Sequence, residues 1–499
     1  MNIEYMKLEA DGICVSAADS FVFMLINNQK ERNDMDKSEA LRLMTEEKEK
    51  IMLGDQQRVA AQKAAGKLTA RERVKALFDE QSFVELDALR KCGVITGFGT
   101  VNDRPAYCFA QDVTDSGAAM SKNQAAKVIR MLEQAKMTLS PVVIMPDSNG
   151  IRLDEGAAAL NGYADIMNAL TQISGVCPVI CCVAGNCPGT AALFSQLSDI
   201  TVQAGKGLIS FNGLKVMQKG ADKDKDASQL FGAETMAAQG GVSLTAATEE
   251  EAFALVRKLV DLLPSCNQED APFDSEDDIN RTIASADELS IEKLADEIFD
   301  RDQKLELGAA YGKQSHTCLG RIGGRSCGLI AQEGGDMEVS DMTKIARFVR
   351  LCDSYRLPVI TLVNTTGVAV PASEGQAEVI RASARLLYAY AEASTVKLSV
   401  LVGAAVGKAY TLLGGGKMAD VIYAWPGAGI AAVSAEVYQR TIGKDDYDTR
   451  FSALAAAKEG LVDDVIDPAD TRKLLINAME FMIVKQGNTP DRKHGNMPL

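Results

Sequence analysis

Histidine is nearly absent. The 499 residues hold two, His316 and His494, and one tryptophan. Neither histidine sits near a plausible nucleophile or carboxylate partner in sequence, which argues against histidine-based triads and metal sites. No CxxC pair occurs among the eleven cysteines, so no zinc ribbon is expected, and a chain this long with eleven cysteines is no disulfide framework. The longest apolar runs, such as residues 177–184, fall far short of the roughly 20 residues that cross a bilayer. A basic segment leading into an apolar one is missing at the N-terminus, so no secretory signal is expected. Basic excess is missing too. A formal charge of −15 leaves no basic face for nucleic acid. A G-x-x-x-x-G-K-[ST] phosphate loop is also lacking.

What is present is ordinary globular material, 46% apolar and 24% charged, enough for about three domains of roughly 150 residues. Cys177, Cys181, Cys182 and Cys187 cluster in an apolar run and read as small buried thiols of a core strand, in a reducing cytoplasm. With histidine so scarce, chemistry must rest on backbone groups, a cofactor, or both.

The chain repeats one plan. The string GTVNDRPAYCFAQD at residues 99–112 predicts a hairpin turning at Asn102-Asp103. GRIGGRSCGLIAQE follows at 320–333, and Gly99, Arg104 and Gln111 recur as Gly320, Arg325 and Gln332, each 221 residues on. PVVIMPDSNG at 141–150 matches PVITLVNTTG at 358–367, both predicting a buried strand that ends in a polar, glycine-closed turn. Next come GNCPGTA at 185–191 and GAAVGKA at 403–409. From Gly150 to Gly189 is 39 residues, and from Gly367 to Gly407 is 40. Order, type and spacing agree, which predicts two α/β halves with right-handed crossovers. The join is expected in the acidic stretch 267–278, and Thr69 with Glu72 predicts a capping box ahead of an apolar helix face at Val74, Leu77 and Phe78.

Glycine directly after a strand permits a left-handed turn and close approach of backbone to ligand. Where a helix starts there, free N–H groups favour negative charge. Two such turns offer two places to hold an oxyanion.

Several strings resemble the biotin-dependent acyl-CoA carboxyltransferases, the β subunits of propionyl-CoA and acetyl-CoA carboxylases and their methylmalonyl-CoA transcarboxylase and decarboxylase relatives. They are GKLTARER (66–73), SFVE (82–85), DSNGIRLDEG (147–156), ARFVRLCD (346–353), LYAYAEA (387–393), YAWP (423–426) and KHGNMPL (493–499). The resemblance runs from about residue 45 to the end. It implies two tandem crotonase-like (ClpP/crotonase) α/β domains. Residues 45–275 would form the acyl-CoA side and 276–499 the biotin side, after an extension at 1–44.

It also implies a carboxyl group moving between carboxybiotin on a carrier protein and a short-chain acyl-CoA. Two oxyanions would form and no side-chain base would be needed. By motif, Gly189 and Thr190 would face the thioester oxygen, and Lys408 and Ala409 the biotin carbonyl. Asp147, Ser148, Gly150, Arg152, Gly367, Gly407 and Thr411 would bind substrate, with no metal. A homo-oligomer is implied, a hexamer, with the N-terminal half of one subunit against the C-terminal half of another.

This chain departs from the family pattern at the loops that face substrate. Thr190 and Lys408 stand where glycine is usual, Asn364-Thr365-Thr366-Gly367 replaces an Asp-Val-Pro-Gly loop, and Thr411 replaces an acidic or aliphatic residue. A further change falls near Ser210 to Gly213. A decarboxylase subunit running the same half-reaction backwards, or a non-catalytic partner of a conventional β subunit, are the alternative readings. No biotin acceptor is present, since Ala135-Lys136-Met137 lacks the preceding methionine. The biotin carboxyl carrier protein and biotin carboxylase subunit are therefore expected as separate chains. The resemblance fades upstream of about residue 45, and Met35, which opens a helical segment, is the expected start, the alternative being that residues 1–34 are a genuine extension packed on the first domain.

Overall fold

The computed structural model describes residues 37–213, 226–372, 374–485 and 494–498. The proposed start at Met35 and the segment before it lie outside the described residues. The helix expected after Met35 runs over Lys37–Leu53 and has no buried residue. Of the described residues, 37–56 with 88–91 group as one compact unit, and 57–87 with those from 92 onward as another.

The larger unit holds two sheets of the same plan. The first runs Val84–Leu86, Val94–Val101, Arg104–Gln111, Val142–Met145, Val179–Val183, Ile200–Ala204 and Leu244–Ala246. Its first two pairings are antiparallel and the rest parallel. The second runs Leu305–Glu306, Ser315–Ile322, Arg325–Gln332, Val359–Thr365, Lys397–Val406, Val421–Ala424 and Asp464–Val465, again antiparallel twice and then parallel. The parallel strands read as unbroken apolar runs because both faces are covered. Val142 and Ile144 pack under the helices Lys122–Thr138 and Ala157–Ile173, while Val143 and Met145 face the helices Ala70–Leu77 and Glu249–Leu262. That is the two-residue alternation of a strand. Cys181 and Cys182 follow it to opposite cores, fully buried as expected.

Both hairpins form. Asn102 and Asp103 take φ of 51° and 62°, the mirror-image turn whose twist suits a two-residue hairpin, and Gly323 and Gly324 take 58° and 84°. The repeat reaches further back than the strings show. Thr69 caps the helix Ala70–Leu77 through a full capping box, and Ser290 caps Ile291–Ile298. Phe78 and Phe299 end these helices and pack against the bare backbone of Gly99 and Gly320. Their ring atoms lie 2.8 and 2.7 Å from where a Cβ would stand, closer than any side chain tolerates. Arg104 and Arg325 each tie the hairpin to the last helix of their half. Arg104 donates to the carbonyls of Val260 and Leu263, and Arg325 pairs with Glu480.

Candidate active site

The polar turn of the first half is anchored from inside. Asp147 is 1% exposed, and its Oδ1 accepts the Asn186 N–H at 3.0 Å. Its Oδ2 accepts from Arg73 at 2.7 Å and Gln62 at 3.0 Å. Arg73 is itself buried and donates to Glu249 at 2.7 Å and to the Ala184 carbonyl. Burial opposes its charge, but the two carboxylates hold it protonated. The Ser148 hydroxyl donates to the Ala118 carbonyl at 2.8 Å and accepts the Gly150 N–H at 3.0 Å.

The second half repeats this geometry with neutral groups. Asn364 Oδ1 accepts the Ala404 N–H at 3.1 Å. The Thr365 hydroxyl donates to the carbonyls of Gly335 and Gly367 and accepts the Gly367 N–H. Met337 pairs with Val368 as Met120 bridges Ile151.

Each anchored strand pair leads into a glycine. Asn186–Pro188 pairs with Leu208–Ser210, and the end of Lys397–Val406 pairs with Gly429–Ala431. Gly189 and Gly407 come next, both at φ +62°, and Gly407 has ψ −133°, a region open to glycine alone. A short helical segment starts directly after each, Gly189–Ala192 and Lys408–Leu412, so the first N–H groups have no partner within the helix. Thr190 and Lys408 are not among the positive-φ residues. Their side chains therefore cost the turns no left-handed strain, which sits on the glycines.

Gly407, Lys408 and Thr411 line one cavity of about 510 Å³ together with Tyr410, Arg450 and Phe451. Ala409 is buried beneath it. Gly150 and Gly367 lie on the turns just described, while Arg152 is exposed and pairs with Asp154 and Glu155. Burial pushes the Cys182 thiol up to about 12. Among the described residues no group of three or more His, Cys, Asp and Glu side chains is placed to hold a metal, and no helix is long and apolar enough to cross a membrane.

Two features were hidden in the sequence. Arg73 stands in the GKLTARER string, but nothing marks it as the counter-ion of a carboxylate 74 positions on. His316 has no acidic neighbour in sequence, yet the antiparallel strands set it between Glu306 at 2.8 Å and Glu333 at 2.6 Å.

Residues 61–497 match the carboxyl transferase domain family. The chain is 33% identical to the methylmalonyl-CoA carboxyltransferase 12S subunit of Propionibacterium freudenreichii subsp. shermanii, over 89% of this chain and 94% of that one. It is also 33% identical to the methylmalonyl-CoA decarboxylase subunit alpha of Propionigenium modestum, over 91% and 98%. The crystal structure of a transcarboxylase 12S hexamer, with hydrolysed methylmalonyl-coenzyme A bound, superposes with a TM-score of 0.89 at 32% identity, covering 93% of this chain and 99% of that one.

Proposed function

The chain belongs to the carboxyl transferase family, two tandem crotonase-like halves that carry carboxyl groups to or from acyl-CoA, and from that premise we propose the assignment of its sites. Residues 45–275 take the thioester of a short-chain acyl-CoA of the acetyl- or propionyl-CoA type. Residues 276–499 take carboxybiotin borne by a separate carrier protein, which a separate biotin carboxylase subunit reloads. The observation that carries this is the matched pair Gly189 and Gly407, one per half, each at φ +62° at the mouth of a helical segment.

The backbone N–H groups of Gly189 and Thr190 stabilise negative charge on the thioester oxygen as the α-proton leaves. Those of Lys408 and Ala409 do the same for the carbonyl facing them. One preorganised donor of this kind contributes roughly 10²–10³ in rate, about 2.7–4 kcal/mol. Biotin fits the second half on the chemistry present, a cavity of about 510 Å³ with backbone donors at its wall. When bound, it supplies the carboxyl group, and its ureido nitrogen takes up the proton. No side-chain base is then required, which suits a chain with two histidines. Asp147 and Ser148, both buried, act by holding the acyl-CoA turn rather than by touching ligand.

The working form is a homo-hexamer in the cytoplasm, with the acyl-CoA half of one subunit facing the biotin half of another. This reading follows the hexameric transcarboxylase whose fold the chain shares.

The decisive assay is carboxyl transfer from methylmalonyl-CoA to free biotin by the purified chain. Transfer above the uncatalysed rate is expected, and its absence at micromolar enzyme would defeat the assignment. Decarboxylation is the same half-reaction with the carboxyl group leaving. The equal 33% identity to a transcarboxylase and a decarboxylase subunit supports either direction, with partner chains setting it. A non-catalytic role has less behind it, because both glycine turns keep their geometry despite Thr190 and Lys408.

A further inference from the structure

The cavity beside Gly407 carries two basic side chains, Lys408 and Arg450, and one acidic one, Glu459, a net charge of +1. The whole chain runs the other way, with 68 acidic against 53 basic residues. Three fully buried arginines elsewhere are matched, Arg73 with Asp147 and Glu249, Arg321 with Asp261, Arg472 with Asp300. Among the described residues, the side chains of Lys408 and Arg450 make neither hydrogen bond nor ion pair, with Glu459 or with any other acid. The Arg450 guanidinium lies over the Phe451 ring, 5.9 Å from its centroid.

The backbone that carries Arg450 is held in place. Arg450 ends the short helix Tyr447–Arg450, whose rings pack as a cluster. Tyr447 and Phe451 lie 4.9 Å apart, and Tyr438 meets Phe451 edge-on at 5.2 Å. Tyr447 donates to the Val433 carbonyl at 2.9 Å and Tyr438 to Asp446 at 2.9 Å. The Phe451 carbonyl accepts the Ile430 N–H at 2.9 Å, which ties this segment to the strand beside Gly407. The exposed guanidinium thus stands on a fixed segment at the cavity wall.

We propose that Arg450, with Lys408, forms an anion subsite that receives the carboxylate borne on the ureido nitrogen at the biotin side. This rests on the assignment of that half to biotin. The ring system is neutral and the transferable group is a planar anion. A guanidinium fork matches a carboxylate in both shape and charge. The subsite therefore separates the loaded from the unloaded carrier, holding the first and releasing the second.

Binding, not turnover, tests this. Calorimetric titration of the full-length oligomer uses two probes, biotin methyl ester and its N-carboxymethyl derivative, which carries a stable carboxylate one methylene away from the ureido nitrogen. The wild-type protein is expected to bind the anionic probe about tenfold more tightly than the neutral ester, the amount that one charge-assisted contact supplies. Arg450→Gln should remove that preference to within about twofold while leaving the affinity for the neutral ester unchanged, and Arg450→Lys should keep most of it. Arg450 is exposed, so the variants are expected to melt with the wild type. A preference that survives in Arg450→Gln overturns the subsite and leaves the biotin assignment standing, as does equal binding of both probes by the wild type. If neither probe binds, the biotin assignment falls as well.

Discussion

Asp147 and Asn364 do one job 217 residues apart. Each closes a buried strand, and each accepts a backbone N–H, from Asn186 at 3.0 Å and Ala404 at 3.1 Å, on the strand that leads to the next glycine turn. The first is charged and the second is neutral. The difference is the setting, since Asp147 has the buried Arg73 beside it, whose second partner is Glu249. Removing one partner of such a buried network leaves charge without compensation. Arg73→Met is therefore expected to lower the free energy of unfolding by about 3–5 kcal/mol. Asp147→Asn should cost clearly less, because Arg73 keeps Glu249. Chemical denaturation of the two variants measures both, and equal losses would contradict the network.

The glycine turns give a second prediction. A Cβ at Gly189 would meet no atom within 4 Å, and one at Gly407 only the Ala432 carbonyl at 3.4 Å. Space is not the constraint; the positive φ is. A β-branched residue must leave that conformation and swing the following N–H groups out of line. Gly189→Val and Gly407→Val should each reduce carboxyl transfer by roughly 10²-fold or more. Melting temperatures should stay close to wild type. Near-normal rates in both would take the turns out of the chemistry.

Lys408 tests the altered loop itself. With its backbone free of left-handed strain, the side chain is available to the cavity that it lines. Lys408→Gly is expected to slow transfer about tenfold by removing a charge near the developing oxyanion. A rate equal to or above wild type would mean a solvated lysine.

Much of this is legible in the residues alone. The 221-residue spacing of Gly99, Arg104 and Gln111 marks the repeat because a hairpin fixes its residues locally. The capping box at Thr69 is legible for the same reason. What stays hidden depends on contacts distant in sequence. Arg73 beneath Asp147 and Arg450 beside Lys408 come together only through the fold. Asp147 reads from its motif as a ligand-facing residue, yet in space both of its oxygens bond within the protein.

His316 supplies a pH dependence. Its bonds to Glu306, against partial burial and with help from Glu333, raise its pKa above the ordinary 6.5. A raised value means that the charged clasp stabilises the fold fully below about pH 6.5 and loses that contribution as pH climbs through the folded value. Wild type should thus be more stable than His316→Gln at pH 6, with the gap closing toward pH 9. Lys304 and Lys344 also act on Glu306 and should keep it ionised throughout. Denaturation at the two pH values checks this, and a gap that widens with pH would reverse the sign and refute it.

The last prediction concerns assembly. Just after the Asp147–Gly150 turn, Leu153 is 85% exposed and Leu160 is 52% exposed. In the second half, after the Asn364–Gly367 turn, Val370 is 53% exposed and Ile380 is 67% exposed. Leu153 and Val370 stand 217 residues apart, the same offset as Asp147 and Asn364, so each half presents apolar groups next to its own glycine turn. Large apolar side chains rimming a functional turn mark a surface that another protein covers. Because the two faces belong to one chain, a second copy can cover the first face with its second, and closed symmetry then buries every such face. The expected species is a hexamer of about 320 kDa, six chains of 53.4 kDa. Leu153→Asp or Ile380→Asp should shift it toward smaller species and reduce transfer with it, since neither half then meets its complement. Light scattering coupled to gel filtration decides the matter, and a wild-type monomer that persists at micromolar concentration would defeat the facing-halves arrangement.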